Sequence, residues 1–405
     1  MGNLRPRLKL PILVVLAFAS VLSLGLASRM DTAFVTYPLI ASAWTLVIVL
    51  LARREAVRSG ALLFSSVFFS LAMIELASYY AARSQFIVTR TTPTTWRHNV
   101  LSIGYMPVPN TTTEFKEVLA GRVIADVTYT IDANGLRKIP DDVQGRTYKV
   151  AFFGCSFMFG HGVEDNQTLP YYFMQDSGGA YKGYNFAGEG WGPHQMLREI
   201  ETGFVGRVAG APDLAIYEAI PDHLRRVAGR APWEDGPKYE LGPFDQASYS
   251  GPFHSIYYDL FRRSLYESWT VKLLDDRCAR ASRASDIPLF LAVLKSTRAL
   301  LAQNGTRFVV VVWDQNELAN VMMAALRKNQ FDVIAVSDAF PGGDLKLRPL
   351  VQLDRHPSPE TNKAIAMYLW KNLSERSLIF PSHYKMPAYS ARARSTETRD
   401  YWVEK

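Results

Sequence analysis

Three short blocks of this 405-residue chain carry side chains able to do covalent chemistry. The first is Gly154-Cys155-Ser156-Phe157-Met158-Phe159-Gly160-His161-Gly162-Val163, which follows the apolar run Lys149–Phe153. A Ser near glycines at the end of a buried strand exposes its hydroxyl at a sheet edge, with its own N–H turned to the same cavity. The same Ser could instead cap the next helix. The second block, Asn185-Phe186-Ala187-Gly188-Glu189-Gly190-Trp191-Gly192, alternates glycines. Such a turn lets backbone approach a ligand closely and can aim an N–H at an oxyanion, or it simply joins strand to helix. The third is Leu353-Asp354-Arg355-His356-Pro357-Ser358-Pro359. A His beside an Asp on a Pro-rich loop suits a general base held in one tautomer, although His356 taken alone is an ordinary surface His. The order Ser, Asp, His at the two ends of one region makes the set informative, because such triads are defined by role and not by spacing.

The elements that would position these blocks alternate. Gly183–Ala187, Asp213–Ile220, Arg307–Trp313 and Phe331–Val336 read as strands. Gln167–Gln175, Pro193–Phe204, Ile287–Gln303, Glu317–Lys328 and Pro359–Leu373 read as helices. Short strands separated by helices imply βαβ units and a parallel sheet covered on both faces. Residues 84–148 form a β-rich connector, with strand character at Val100–Pro109 and Arg122–Ile131 and a turn at Asp132-Ala133-Asn134-Gly135. Residues 224–283 break the rhythm and read as an insertion or lid within a domain over 149–380, followed by a polar tail, 381–405. The insertion's Trp233, Tyr239, Phe244, Tyr249, Phe253, Tyr257 and Tyr258 either stack on sugars or pack on each other.

Residues 1–83 differ from the rest. Leu10–Ser28, Ala33–Ala52 and Ala61–Ala82 are apolar runs close to the roughly 20 residues that cross a bilayer. The last contains one charge, Glu75, read as sitting at the outer interface or making a polar contact within the bundle or with a lipid or acyl ligand. Arg5, Arg7 and Lys9 before the first run, and Arg53, Arg54 and Arg58 between the second and third, put both segments on the cytoplasmic side. Three crossings then place the chain beyond Arg83 outside an inner membrane, in a periplasm-like space. A cleaved signal peptide over the first run, with Gly25-Leu26-Ala27 near its end, leads to the same placement. The net charge of +7 is partly this topology signal. No basic stripe or nucleic-acid motif accompanies it. Two cysteines, Cys155 and Cys278, are too few for a disulfide framework.

Together the blocks resemble the SGNH (GDSL-type) hydrolase family, over roughly Lys149–Leu373. The resemblance implies a three-layer α/β/α sandwich with a parallel sheet, here preceded by three transmembrane helices. Phe159-Gly160-His161-Gly162-Val163, Thr168-Leu169-Pro170 and the upstream Tyr129–Arg137 segment are similar to membrane-anchored, extracytoplasmic members associated with polysaccharides. Ser156 is then the implied nucleophile, Asp354 the orienting acid and His356 the base, with the N–H groups of Ser156 and Gly190 as oxyanion donors. Two departures stand out. Pro221 falls where the family's third block has an Asn donor, so that His223 substitutes or the donor is missing. Cys155 replaces the Asp beside the nucleophile and reads as a small buried filler.

The expected activity is acyl transfer without metal or cofactor. The chain would be an esterase or an O-acyltransferase, acting on an acylated envelope glycan or a lipid at the bilayer. The alternative is a catalytically weak glycan-binding or polysaccharide-assembly protein on the same fold.

Overall fold

A computed structural model describes residues 33–86, 88–91, 96–100, 102–119, 122–140, 148–230, 236–253, 268–271, 273–274, 283–313, 316–340 and 356–376. The chain divides into two compact units, residues 1–88 with 254–281 and residues 89–253 with 282–405. Two expected boundaries shift. The connector and the α/β domain form one unit, and the insertion is divided between the two.

The first unit is built on a helical pair, α1 (Ala33–Leu51) and α2 (Glu55–Phe86). Ser42 Oγ lies 3.1 Å from Ser65 Oγ, and each hydroxyl also donates to the other's carbonyl, so small polar residues join the two apolar helices. Glu55–Ala81 is long and apolar enough to cross a membrane, and Tyr37–Val49 is a shorter apolar stretch. The first expected span, Leu10–Ser28, lies outside the described residues. Glu75 is 4% exposed, and its polar partners lie in the chain segment at residues 268–270. Its carboxylate accepts from Ser268 Oγ at 2.8 Å, from the Thr270 N–H at 3.2 Å and from the Trp269 N–H. It thus caps a helical turn beginning at Trp269, within what the sequence suggested was a lid.

The second unit begins within β1 (Val88–Thr91) and continues through β2 (Arg97–Val100), β3 (Gly104–Pro107), β4 (Thr112–Leu119) and β5 (Arg122–Thr130). β2 and β3 form a hairpin, and β1-β4-β5 a three-stranded sheet. β4 was not expected, although Glu114, Lys116 and the buried Phe115 and Glu117 give it the alternation of a half-buried strand.

The α/β part follows as β6 (Tyr148–Phe153), α3 (Ser156–Phe159), α4 (Leu169–Asp176), β7 (Tyr181–Asn185), α5 (Pro193–Glu201), α6 (Phe204–Ala209), β8 (Leu214–Ala219) and α7 (Asp222–Val227). Then come the hairpin β9 (Pro237–Leu241) and β10 (Ala247–Pro252), α8 (Ile287–Gln303), β11 (Arg307–Val312), α9 (Glu317–Lys328), β12 (Asp332–Ala335) and α10 (Pro359–Glu375). The central sheet runs β12-β11-β8-β6-β7 with every neighbouring pair parallel. Its inner strands β8 and β11 are buried on both faces, as a sheet covered by helices on both sides requires.

Two apolar cores lie on the two faces. One contains Phe153, Tyr217, Phe290 and Leu294, and the other Phe152, Phe173, Ile365 and Leu369. Strand order reverses at β6, since β7 adds on one side and β8 on the other. The crevice at the carboxyl ends of β6 and β8 is therefore where an open α/β sheet binds its ligand.

In the β9–β10 hairpin Tyr239 and Tyr249 meet at 5.7 Å between ring centres, as the second reading of the insertion has it, but the hairpin also packs on α5 and α8. Tyr239 is 2% exposed and donates to Glu201 at 2.6 Å, and the Arg198 guanidinium lies 3.7 Å from the centre of the Tyr249 ring. The Phe253 ring lies 5.7 Å from that of His194, whereas Phe244 is 95% exposed. Trp233, Tyr257 and Tyr258 lie outside the described residues.

Phe152 is fully buried in β6 against Phe173. We expect Phe152→Ala to cost about 3–5 kcal/mol in urea unfolding of the solubilised chain. A loss below about 1 kcal/mol would contradict this packing.

Candidate active site

β6 ends at Phe153, and the chain turns through Gly154 and Cys155 into α3, whose first residue is Ser156. A Cβ at Gly154 would meet Glu218 Oε2 at 2.5 Å and Met158 Cβ at 3.0 Å, so only glycine lets the turn close over β8. Glu218, on β8, is fully buried and accepts from the Cys155 N–H at 3.1 Å and from its thiol at 3.4 Å. Burial raises the Glu218 carboxyl to about 7, opposed by the bonds from Cys155 and by Arg226. Burial, with Glu218 adding to it, pushes the Cys155 thiol up to about 12, so it stays protonated and is no rival nucleophile. Sequence reasoning passed over Glu218, although a charged residue in the otherwise apolar Leu214–Ala219 was the signal.

Ser156 Oγ lies 2.8 Å from His356 Nε2, joining the end of β6 to the loop before α10. With Nδ1 carrying the ring proton, Nε2 accepts the Ser156 O–H. That is the geometry in which an imidazole takes a proton from a nucleophile. Ser156 is 9% exposed, enough to face a ligand while mostly enclosed. The His356 ring packs edge-on to Phe157 at 5.3 Å and against His161 at 4.2 Å between centroids. Asp354 lies outside the described residues.

The second block reaches the site from the end of β7. The Gly188 N–H donates to the Gly154 carbonyl at 3.4 Å, and the Trp191 N–H to Gly188 O at 3.1 Å. The second bond closes a tight turn in which Gly190 has φ +80°, the left-handed value that such a position reserves for glycine. Gly190 therefore sits on a turn tied to the backbone that carries the nucleophile.

The connector holds both loops. The Arg137 side chain is fully buried and donates to Asp165 Oδ1 at 3.0 Å, to the carbonyls of Phe159 at 3.2 Å and Val163 at 2.6 Å, and to Gly160 O. Its guanidinium carbon lies 4.1 Å from the centre of the Tyr129 ring, and Tyr129 Oη accepts from the Gly162 N–H at 2.8 Å. Tyr105 donates to the Glu189 carbonyl, and Arg97 pairs with the Glu189 carboxylate. The connector strands thus fix the loops on both sides of Ser156.

His223 does not join this group. Its ring is fully buried, with Nδ1 2.6 Å from Tyr217 Oη. Burial, reinforced by Arg226 and His194, lowers its pKa far below the usual histidine value and keeps it neutral. An oxyanion donor must face the ligand, and this ring belongs to the core. Pro221 begins the turn into α7, and having no N–H it cannot replace the Asn donor.

One ligand atom each from Cys155, Glu218 and His223 lie within 4.8 Å of one another, a donor set of the kind that binds zinc. Cys155 and Glu218 are hydrogen-bonded to each other and His223 Nδ1 to Tyr217 Oη, His223 Nε2 is buried without a hydrogen-bond partner among the described residues, and Arg226 adds positive charge beside the cluster. It reads as a neutral buried group that supports the turn.

No family model matches the sequence. No curated protein matches it either. Among solved structures, the chain is similar to a member of the lipolytic protein G-D-S-L family from Veillonella parvula DSM 2008. That match has 12% identity and a TM-score of 0.35, over 56% of this chain and 99% of the other. It is also similar to a lipase from a goat rumen metagenome, with 13% identity and a TM-score of 0.33, over 58% of this chain and 99% of that one. The chemistry of the site rests on its own geometry.

The buried Glu218 gives a pH prediction. Its folded value of about 7 against 4.5 for the free group means that the folded chain keeps a proton the unfolded chain releases. That contribution is complete below about pH 4.5 and is lost as pH rises through 7, a change of about 3 kcal/mol. Glu218→Gln should flatten the fall in unfolding free energy between those pH values, measured by denaturant titration. An unchanged slope would show that Glu218 is already ionised across that range.

Proposed function

We propose that this chain is a membrane-anchored serine esterase or O-acyltransferase of the SGNH type, working through an acyl-enzyme on Ser156. The observation that carries the reading is the 2.8 Å contact of Ser156 Oγ with His356 Nε2 at the strand-order reversal.

His356 takes the Ser156 proton as Oγ attacks the ester carbonyl carbon, and the carbonyl electrons move onto oxygen. The N–H groups of Ser156 and Gly190 stabilise that oxyanion. Collapse expels the alcohol, which takes the proton from His356 and leaves the acyl group on Ser156. A water or sugar hydroxyl then gives its proton to His356 and attacks the acyl carbon, and as the acyl–Oγ bond breaks His356 returns that proton to Ser156 Oγ. Asp354, two residues before His356, is the residue proposed to hold the base in its tautomer.

The apolar helix Glu55–Ala81 and the arginines preceding it support an inner-membrane anchor with the catalytic unit on the periplasmic side. An acylated envelope glycan or a lipid at the bilayer surface is the substrate class that fits such an anchor.

A second reading, a weakly catalytic glycan-binding or assembly protein, is favoured by Pro221 and by the burial of His223, which leave the third block without a side-chain donor. Losing one oxyanion donor costs about a hundredfold or more in rate.

Hydrolysis of p-nitrophenyl esters from acetyl to longer acyl chains separates the two. We expect measurable turnover that falls at least about a thousandfold in Ser156→Ala and in His356→Ala. Turnover indistinguishable from these variants in the native chain would favour the binding reading.

A further inference from the structure

The acyl-transfer reading gives no role to the buried carboxylate of α2. Glu75 lies in an apolar helix, and its oxygens accept from residues 268–270. Those residues belong to the insertion, which leaves the catalytic unit after Phe253 and rejoins it at Ser282. The height of Glu75 along α2 and the chemistry of the turn it holds point to what covers that turn.

Arg53, Arg54 and Arg58 mark the cytoplasmic end of α2. The rise from Glu55 to Glu75 is about 30 Å, the thickness of a hydrocarbon core. Over that rise Leu63, Phe64 and Phe69 are each more than half exposed, as a helix solvated by lipid requires. Glu75 therefore stands where hydrocarbon gives way to headgroups, the depth at which Trp and Tyr rings collect. The rings are there. Tyr79 meets Tyr80 at 5.4 Å between centres, and Trp269 lies edge-on to Tyr79 at 5.4 Å. The turn itself is tied to α2 by polar bonds. Besides the bonds to Glu75, Thr270 Oγ1 donates to Ser78 Oγ at 3.0 Å, and Ser268 Oγ accepts from the Val271 N–H at 3.2 Å. Glu75 thus satisfies backbone donors that lipid could not. Leu274, four residues beyond Thr270, is 54% exposed, and Tyr80 is 60% exposed.

We propose that residues 268–271 and 273–274 form a second membrane contact, lying in the outer interface of the bilayer with Trp269 and Leu274 at headgroup level, and that Glu75 is the residue holding them there. The inference rests on the reading that α2 crosses the membrane. Lipid is the occupant of the exposed side for two reasons. The apolar surface of α2 matches a hydrocarbon core in length, and rings with an apolar body and a polar edge suit the boundary above it. The insertion then works as a strap. The chain passes between the two units at residues 88–89, 253–254 and 281–282, so an insertion pinned to the bilayer adds two tethers to the one that follows α2.

Depth-dependent quenching in the full chain tests this. Leu274→Cys and, as a separate reference, Phe64→Cys are labelled with a small fluorophore in a Cys278→Ser background, Cys155 being buried. Each is reconstituted in phosphatidylcholine vesicles carrying nitroxides either at the headgroup or deep in the acyl chain. We expect the headgroup nitroxide to quench the label at position 274 at least about twofold more than the deep one, and the label at position 64 to show the reverse order. Quenching at position 64 with none at position 274 overturns the proposal and leaves the membrane anchor standing. Stronger quenching at position 274 by the deep nitroxide also overturns it, since the turn would then lie in hydrocarbon. No quenching at position 64 removes the anchor and the proposal together. In Glu75→Ala the headgroup quenching at position 274 should fall at least about twofold, with that at position 64 retained. Unchanged quenching at position 274 overturns the holding role of Glu75, and the first comparison needs no change at that residue.

Discussion

The contact between Ser156 Oγ and His356 Nε2 joins two loops separated by 200 residues, and most of the second unit serves to hold it. A seryl hydroxyl is a poor nucleophile unless a base stands in hydrogen-bond reach, and that reach tolerates only fractions of an ångström. The parallel sheet meets the tolerance by delivering the nucleophile from β6, an inner strand flanked by β8 and β7, with apolar cores on both faces. His356 arrives on a loop whose next turn is fixed by the Ser358 cap of α10, accepting from the Thr361 N–H at 3.2 Å.

Buried polar groups supply what the apolar core cannot. Arg137 spends its donors on the loop carbonyls that follow Ser156, and Glu218 holds the turn that precedes it. Each would be expensive to bury alone, and each is matched to partners that would otherwise be unsatisfied. The hydrogen-bonded chain of Glu117, His161, Glu189 and Arg97 extends the pattern from the connector to the base, on which the His161 ring packs. A connector that looked accessory in the sequence therefore forms one wall of the site.

The sequence made the α/β alternation readable because Arg307–Val312 and Leu214–Ala219 are short buried strands and Ile287–Gln303 and Glu317–Lys328 have clear helical length. Ser156 and His356 were readable because each follows an element boundary and their order suits a triad. Glu117 and Arg97 were not, because their role depends on two short connector strands folding back across the chain. His223 looked like a replacement donor from its distance to Pro221 along the chain, but in three dimensions its ring turns into the core beside Tyr217. Residues 224–283 read as one insertion or lid because they break the strand–helix rhythm, yet the Glu75 carboxylate binds the turn at Trp269, and the hairpin before it packs on α5 and α8. Local sequence carries no sign of which distant helix a segment will meet.

The most direct test of the central claim is fluorophosphonate labelling of the solubilised full chain, with the modified peptide mapped by mass spectrometry. The account predicts a single labelled residue, Ser156, with labelling lost in Ser156→Ala and strongly slowed in His356→Ala. No labelling of the native chain, or labelling that persists unchanged in Ser156→Ala, would contradict it.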